Sequence, residues 1–186
     1  MNYYMPSGDW PLYEEQYIRF MKNLGHTRTD RSGADFLLLP GGSDFGVRPN
    51  RDEVEILDYN LFIQTERPVI AICRGMQLIL KENGGNLIPH IPDEMINLQH
   101  TTINGHWKGL SSWHMTNAGL FTNTRHHQGY TKIPESWELL DATSDGVVEA
   151  VKRNNEFGVQ WHPELTEMDG TAAQDWFIWK MEQTIK

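Results

Sequence analysis

The sequence has one cysteine, few basic residues and no long apolar run. A single cysteine among 186 residues excludes an internal disulfide framework. Because no apolar run could span a membrane and no basic-then-apolar leader stands at the amino end, we expect a cytoplasmic protein with no membrane partner. The 16 Lys and Arg residues are outnumbered by 25 Asp and Glu residues, giving a formal charge of −9. This acidity disfavours nucleic acid as a partner.

The apolar content of the chain is sufficient for one core. Apolar residues make up 39% of the 186 residues. A chain of this length can bury one substantial core but is short for two. We therefore expect a single domain over residues 1–186.

Alternating strand and helix patterns predict an α/β fold. The compact apolar runs Phe36–Leu39 and Pro68–Ile72 are typical of buried strands. In Pro11–Leu24 and Arg51–Glu66 the apolar residues recur at three- and four-residue steps, which predicts helices. The expected buried face of the second helix consists of Val54, Leu57, Leu61 and Phe62. Strand, glycine turn, helix and strand in this order predict a right-handed parallel crossover.

The last third of the chain predicts an antiparallel extension and a closing helix. Turn dipeptides separate the strand-like segments Trp137–Ala142, Val147–Lys152 and Phe157–Gln160. Thr171–Ile185 has the pattern of an amphipathic helix. Met1–Met5 is a short, weakly apolar candidate strand, and residues 86–123 predict only short strands and loops. The expected architecture is a mostly parallel sheet with helices on both faces and a small antiparallel extension.

The apolar run before Cys73 predicts a nucleophile elbow. The strand ends at Cys73 and a helical pattern starts directly after it, which places the thiol in a sharp turn. The partial positive charge at the amino end of the following helix favours a thiolate. Cys73 is therefore a candidate nucleophile, although a lone buried cysteine can equally be a small core residue.

Two further motifs follow predicted strands and provide what a thiol nucleophile needs. In an extended chain His162 and Glu164 point to the same side, so the carboxylate can orient the imidazole. Gly41 and Gly42 have no side chains, so their backbone N–H groups can approach an oxyanion closely. The alternative for this pair is simple strand termination. Three such motifs at the ends of three strands indicate one site.

Neither a metal nor a cofactor is expected. Four histidines lie within residues 86–123, namely His90, His100, His106 and His114. They lack the regular spacing of zinc ligands, and the chain has no second cysteine. The Gly41-Gly42 turn also lacks the Lys-Ser/Thr ending of a phosphate-binding loop.

Together these segments resemble the class I glutamine amidotransferase superfamily, which implies a flavodoxin-like fold. The matching motifs are Leu39-Pro40-Gly41-Gly42, Ile70-Ala71-Ile72-Cys73-Arg74-Gly75-Met76-Gln77 and Gly158-Val159-Gln160-Trp161-His162-Pro163-Glu164. Arg74, the sequence His126-His127-Gln128-Gly129 and the segment 144–150 favour the γ-glutamyl hydrolase branch, peptidase family C26. That branch includes hydrolases of γ-glutamyl-γ-aminobutyrate.

The resemblance implies a role for each matched position. Cys73 would be the nucleophile, His162 the general base and acid, and Glu164 the residue that orients the imidazole. The backbone amides of Gly42 and Arg74 would form the oxyanion hole. The substrate-binding residues would be Gln77, His127, Gln128 and Gly41. Because neighbouring residues of a strand point to opposite faces, at most one of the two histidines 126 and 127 should face the site.

Three functions are consistent with these residues. The implied activity is hydrolysis of a γ-glutamyl amide through a γ-glutamyl thioester, which releases glutamate and an amine. The first alternative is a glutaminase subunit that uses glutamine and supplies ammonia to a separate synthetase partner. The second is an inactive module that binds a γ-glutamyl ligand. The sequence Arg74-Gly75-Met76 favours the hydrolase, and the intact Cys73, His162 and Glu164 disfavour the inactive module.

Overall fold

A computed structural model describes residues 1–7, 11–91 and 112–186, in which strands and helices alternate. The strands are β1 (Asn2–Tyr4), β2 (Thr27–Arg28), β3 (Phe36–Leu39), β4 (Val69–Ile72), β5 (Ser112–Met115), β6 (Phe121–Thr124), β7 (Glu138–Ala142), β8 (Val148–Arg153) and β9 (Glu156–Val159). The helices are α1 (Pro11–Asn23), α2 (Pro49–Gln64), α3 (Arg74–Glu82) and α4 (Ala172–Ile185).

The central sheet has seven strands in the order β2-β1-β3-β4-β9-β8-β7. The first five strands of this order, β2, β1, β3, β4 and β9, pair in parallel. β8 pairs antiparallel with both β9 and β7. The strands β5 and β6 form a separate antiparallel pair. The predicted α/β fold, with a mostly parallel sheet and a small antiparallel extension, is therefore confirmed.

Helices cover both faces of this sheet. Phe36 and Leu38 of β3 pack into the core beneath α1 and α4, while Leu37 and Leu39 pack into the core beneath α2 and α3. A strand that is buried on both faces has no polar positions, which explains why β3 and β4 are continuous apolar runs. No helix in the described part of the chain combines the length and the apolarity that crossing a bilayer requires.

The amino end forms a strand in spite of its low apolar content. β1 pairs with β2 on one side and with β3 on the other. Tyr3 is buried, and its ring stacks on that of Phe36 with 6.0 Å between the centroids. Pairing with two strands that are distant in sequence thus determines the structure of this segment, more than its own composition does.

The buried face of α2 differs from the predicted one. Val54 and Leu57 are 43% and 66% exposed, so the prediction that they face the core is wrong. The residues of α2 that are buried are Glu55, Asp58, Tyr59 and Phe62. Glu55 forms ion pairs with Arg51 and Arg74. These partners compensate the cost of burying a carboxylate, which an apolar pattern alone does not reveal.

Gly75, the second residue of α3, allows this helix to lie close to β3. A Cβ atom at Gly75 would stand 2.3 Å from the carbonyl oxygen of Leu39. At Gly158 of β9 a Cβ would stand 2.8 Å from Cγ of Met76, which is part of a flexible side chain. The first clash is with backbone and the second is not.

We predict that Gly75→Ala lowers the free energy of unfolding by more than about 3 kcal/mol, because the backbone of β3 or α3 must move. The higher helix propensity of Ala offsets only about 1 kcal/mol of this loss. Gly158→Ala is the matched control and should lose less, about 1–2 kcal/mol, since only side-chain atoms of Met76 and Ile79 must shift. Urea unfolding followed by tryptophan fluorescence measures both variants. Equal losses would contradict the argument from backbone approach.

Candidate active site

The carboxyl ends of three neighbouring strands bring the three sequence motifs together. β3, β4 and β9 are adjacent and parallel, so the turns that follow them lie at one edge of the sheet. A Cβ atom on Gly41 would lie 2.8 Å from Cε1 of His162 and 3.4 Å from Cβ of Cys73. The glycine turn, the cysteine and the histidine therefore border the same space.

Cys73 occupies a turn that non-glycine residues rarely adopt. Its dihedral angles are φ 53° and ψ −109°, directly before the first residue of α3. Its N–H donates to the Val159 carbonyl at 2.8 Å, and its own carbonyl accepts from the Gln77 N–H at 3.1 Å. Hydrogen bonds on both sides thus hold the strained turn, which is the elbow that the sequence predicts.

His162 and Glu164 form a buried hydrogen-bonded pair. Nδ1 of His162 lies 2.7 Å from Oε1 of Glu164, and the glutamate is fully buried. Burial lowers the pKa of His162, but the Glu164 carboxylate and the adjacent Cys73 outweigh burial and raise this pKa well above its usual value. The imidazolium form is therefore favoured beside the thiol, an arrangement that stabilises a thiolate.

The two glycines after β3 differ in how their backbone groups are used. The Gly41 N–H donates to the Tyr17 hydroxyl at 2.9 Å, and the Gly41 carbonyl accepts from Nη2 of Arg51 at 2.9 Å. Because the Gly41 amide already has an acceptor, the Gly42 amide is the one of the pair that stays a candidate for the oxyanion hole. The Arg74 amide opens α3, where an N–H has no partner within the helix.

The side chain of Arg74 is buried and engaged elsewhere. Its guanidinium forms ion pairs with Asp52 and Glu55 of α2. Its Cζ atom lies 4.3 Å from the centroid of the Phe45 ring. The side chain therefore does not contribute to the proposed oxyanion hole, and the predicted contribution of Arg74 is that of its backbone N–H.

Gln77 is linked to the thiol through the side chain of Gln160. Its Nε2 atom donates to the Gln128 carbonyl at 3.0 Å and to Oε1 of Gln160 at 3.2 Å. Nε2 of Gln160 in turn lies 3.6 Å from Sγ of Cys73. Gln77 is only 3% exposed. Substrate binding by Gln77 and Gln128 stays a prediction, and the contacts described link both residues to the cysteine through Gln160.

The paired histidines are directed to different partners. Nε2 of His127 lies 2.8 Å from Oδ2 of Asp44, in the segment that follows the two glycines. This hydrogen bond raises the pKa of His127. His126 is buried, with Nδ1 2.8 Å from the Gln128 carbonyl and Nε2 3.9 Å from Oε1 of Glu149. The two rings thus contact different partners, and these residues form no strand. That at most one of them faces the site stays a prediction.

Of the four histidines considered as metal ligands, His90 and His114 lie in the described part of the chain, whereas His100 and His106 lie outside it. Within residues 1–7, 11–91 and 112–186, no group of three or more His, Cys, Asp and Glu side chains is arranged to hold a metal ion.

Three residues of the site carry no clear signal in the sequence. Asn123 of β6 accepts from the His162 N–H at 2.8 Å and donates to the His162 carbonyl at 3.1 Å, so it holds the backbone of the histidine. It lies in a segment without sustained periodicity. The sequence pattern predicts Tyr17 only as an apolar residue of an amphipathic helix. Gln160 is a single polar residue at the end of a predicted strand. Only their tertiary contacts assign them to the site.

Comparison with known proteins gives consistent matches. The peptidase C26 family matches residues 37–164, which include all three motifs. The γ-glutamyl-γ-aminobutyrate hydrolase PuuD of Escherichia coli is 27% identical over 142 residues, 66% of this chain and 56% of that protein. The glutamine-hydrolyzing GMP synthase of Streptococcus mutans is 33% identical over 122 residues, 60% of this chain and 20% of the synthase. A glutamine amidotransferase from Thermotoga maritima shares the fold, with a TM-score of 0.62 at 13% identity over 99% of this chain and 90% of that chain.

The raised pKa of His162 predicts that Cys73 is reactive in mildly acidic solution. At pH 6 a free thiol with a pKa of about 8.5 is only about 0.3% ionised. Below the pKa of His162 in the folded protein, its imidazolium should keep Cys73 reactive towards iodoacetamide, as measured by mass spectrometry. In His162→Gln the rate at pH 6 should fall by about tenfold or more and should recover only at alkaline pH. Similar rates for both proteins at pH 6 would show that His162 does not stabilise the thiolate.

Proposed function

Since the chain belongs to the peptidase C26 family, we propose that it is a cysteine hydrolase of γ-glutamyl amide bonds. The observation that carries this proposal is the convergence of Cys73, His162 and Glu164 beside the Gly41 turn. The similarity to the Escherichia coli hydrolase supports the same class of reaction. All parts of the proposed site come from one domain over residues 1–186.

The first half of the proposed reaction is acyl transfer to the cysteine. The Cys73 thiolate attacks the γ-carbonyl carbon, and the backbone N–H groups of Gly42 and Arg74 hold the resulting oxyanion. The His162 imidazolium then donates its proton to the nitrogen of the leaving amine. The C–N bond breaks, the amine departs, and a γ-glutamyl thioester remains on Cys73.

The second half is hydrolysis of the thioester. Neutral His162 takes a proton from water, which attacks the thioester carbonyl. The C–S bond breaks, glutamate departs, and the thiolate and the imidazolium are restored. Glu164 keeps the imidazole oriented throughout.

The γ-glutamyl group would lie against the residues that border this space. The proposed contacts are Gly41, Gln77, His127 and Gln128. Gln77 would act together with Gln160, since the two side chains are hydrogen-bonded.

A second candidate function is that of a glutaminase subunit. The similarity to the Streptococcus mutans GMP synthase favours it. The chemistry at the cysteine would be identical, but the substrate would be glutamine and the ammonia would pass to a synthetase partner. The two functions differ in the leaving group and in the need for a partner.

The proposed function predicts that Cys73→Ala abolishes glutamate release from γ-glutamyl amides, because no thioester can form. The measurement is a panel of γ-glutamyl conjugates of amines, amino acids and polyamines together with glutamine, each scored by an assay for free glutamate. The corresponding α-glutamyl amides are control substrates. Release from glutamine alone would favour the glutaminase subunit, and release by Cys73→Ala would exclude the cysteine mechanism.

A separate prediction concerns Glu164. Glu164→Gln should lower kcat by about 10²- to 10⁴-fold without abolishing turnover, because the amide orients the imidazole poorly and does not stabilise the imidazolium. The matched control is Glu182→Gln, which changes an exposed carboxylate of α4 and should leave kcat unchanged. Steady-state kinetics on the best substrate of the panel measures both. A kcat for Glu164→Gln within about threefold of the wild type would contradict the role given to Glu164.

A further inference from the structure

Tyr17 of α1 lies outside the three motifs, yet its hydroxyl stands between two parts of the proposed site. The side chain is 3% exposed. Its oxygen accepts the Gly41 N–H at 2.9 Å. Burial raises the pKa of Tyr17 well above its usual value, and the neighbouring Glu164 carboxylate and Cys73 raise it further. The hydroxyl is therefore protonated and lies beside the carboxylate that holds His162.

The hydroxyl proton of Tyr17 matches an unfilled position on Glu164. Oε1 of Glu164 is hydrogen-bonded to His162, whereas the buried Oε2 atom has no hydrogen-bond partner among the described residues. The Tyr17 oxygen already accepts one hydrogen bond, so its own O–H is left to donate. A buried carboxylate oxygen without a donor is unfavourable. Tyr17 is a candidate donor for this oxygen, since its hydroxyl interacts with the Glu164 side chain.

We propose that Tyr17 is a positioning residue that couples the oxyanion turn to the Cys73-His162-Glu164 triad. By accepting the Gly41 N–H it fixes the turn so that the next amide, that of Gly42, faces the thiol. By donating to Glu164 it holds the carboxyl group in the orientation that faces His162. This role rests on the proposed function, since it acts through residues of that mechanism.

The surroundings of the hydroxyl support this coupling. A Cβ atom at position 41 would stand 2.8 Å from Cε1 of His162 and 3.1 Å from the Tyr17 oxygen, so a side chain there would force these groups apart. Arg19, two residues further along α1, donates to the Glu164 backbone carbonyl at 3.1 Å and pairs with Asp169 at 3.9 Å. α1 therefore meets Glu164 at both its side chain and its backbone. The ionisable groups that act on the hydroxyl are Glu164 and Cys73. His162 interacts with both of them, and Arg19 contacts the backbone of Glu164.

The first test is the pH dependence of Cys73 alkylation by iodoacetamide, which needs no substrate. In Tyr17→Phe the pH of half-maximal alkylation should rise by about 0.5–1 unit, because a Glu164 side chain that is no longer held in place faces His162 less well and stabilises the imidazolium less. The matched control is Tyr13→Phe, one turn earlier on the same helix and 39% exposed, which should leave the profile unchanged. A Tyr17→Phe profile equal to that of the wild type overturns the proposal.

A double-mutant cycle tests whether Tyr17 acts through Glu164. The shift caused by Tyr17→Phe should disappear when the same change is made in Glu164→Gln. An equal shift in both backgrounds would indicate a merely structural effect and would overturn the proposal. On a substrate, Tyr17→Phe should lower kcat about tenfold or more while KM stays within about threefold. Absence of hydrolysis by the wild type would count against the proposed function, and the alkylation profiles would still decide the role of Tyr17.

Thermal unfolding shows whether Tyr17→Phe is folded. If it is not, 3,5-difluorotyrosine introduced at position 17 keeps the ring and the hydroxyl and makes the O–H a stronger donor. Because a stronger donor draws charge from the Glu164 carboxylate, the pH of half-maximal alkylation should then rise relative to the wild type. An unchanged profile in this variant would equally overturn the proposal.

Discussion

The hydrogen bond between His162 and Glu164 is the interaction on which the proposed site depends. It joins two groups in the protein interior, where an unpaired carboxylate is strongly unfavourable and a paired one is held in a single geometry. Elements from separate parts of the chain support this pair. Asn123 of β6 holds the backbone of His162 on both sides, and Arg19 of α1 holds the carbonyl of Glu164. The small sheet and the first helix are thus structural supports of one buried ion pair.

The parallel sheet explains why the cysteine meets this pair. Adjacent parallel strands deliver their following turns to the same edge, and β4 is the strand that lies between β3 and β9. The strained turn at Cys73 persists because its N–H is bonded to β9 and its carbonyl to the first turn of α3. The close approach of α3 to β3, which Gly75 permits, brings the positive end of that helix beside the thiol.

The features that the sequence predicts correctly are those encoded locally. β3 and β4 are buried on both faces, so each is a continuous apolar run that is visible without a structure. The glycine pair and Cys73 follow these runs, and the histidine motif follows the predicted strand Phe157–Gln160, which is enough to predict that they meet. β1 is recognisable only through its pairing with strands that are distant in sequence. The local pattern around Tyr17 indicates only a core residue, because its role depends on a contact with Gly41, 24 residues away. The pattern around Asn123 indicates no role, because its partner His162 is 39 residues away.

The wrong prediction for α2 has its physical reason in the site itself. The polar face of α2 is buried because Glu55 pairs with both Arg51 and Arg74. Arg51 also donates to the Gly41 carbonyl, and the amide of Arg74 opens α3 beside the thiol. The carboxylate of Glu55 therefore joins the two backbone segments between which the proposed oxyanion hole lies. A buried ion-pair network of this kind adds little stability compared with apolar packing, but it fixes the distance between the groups that it connects. The buried polar residues of α2 are therefore explained by their link between the Gly41 turn and the start of α3 at Arg74. An apolar helix face could not connect Gly41 to Arg74.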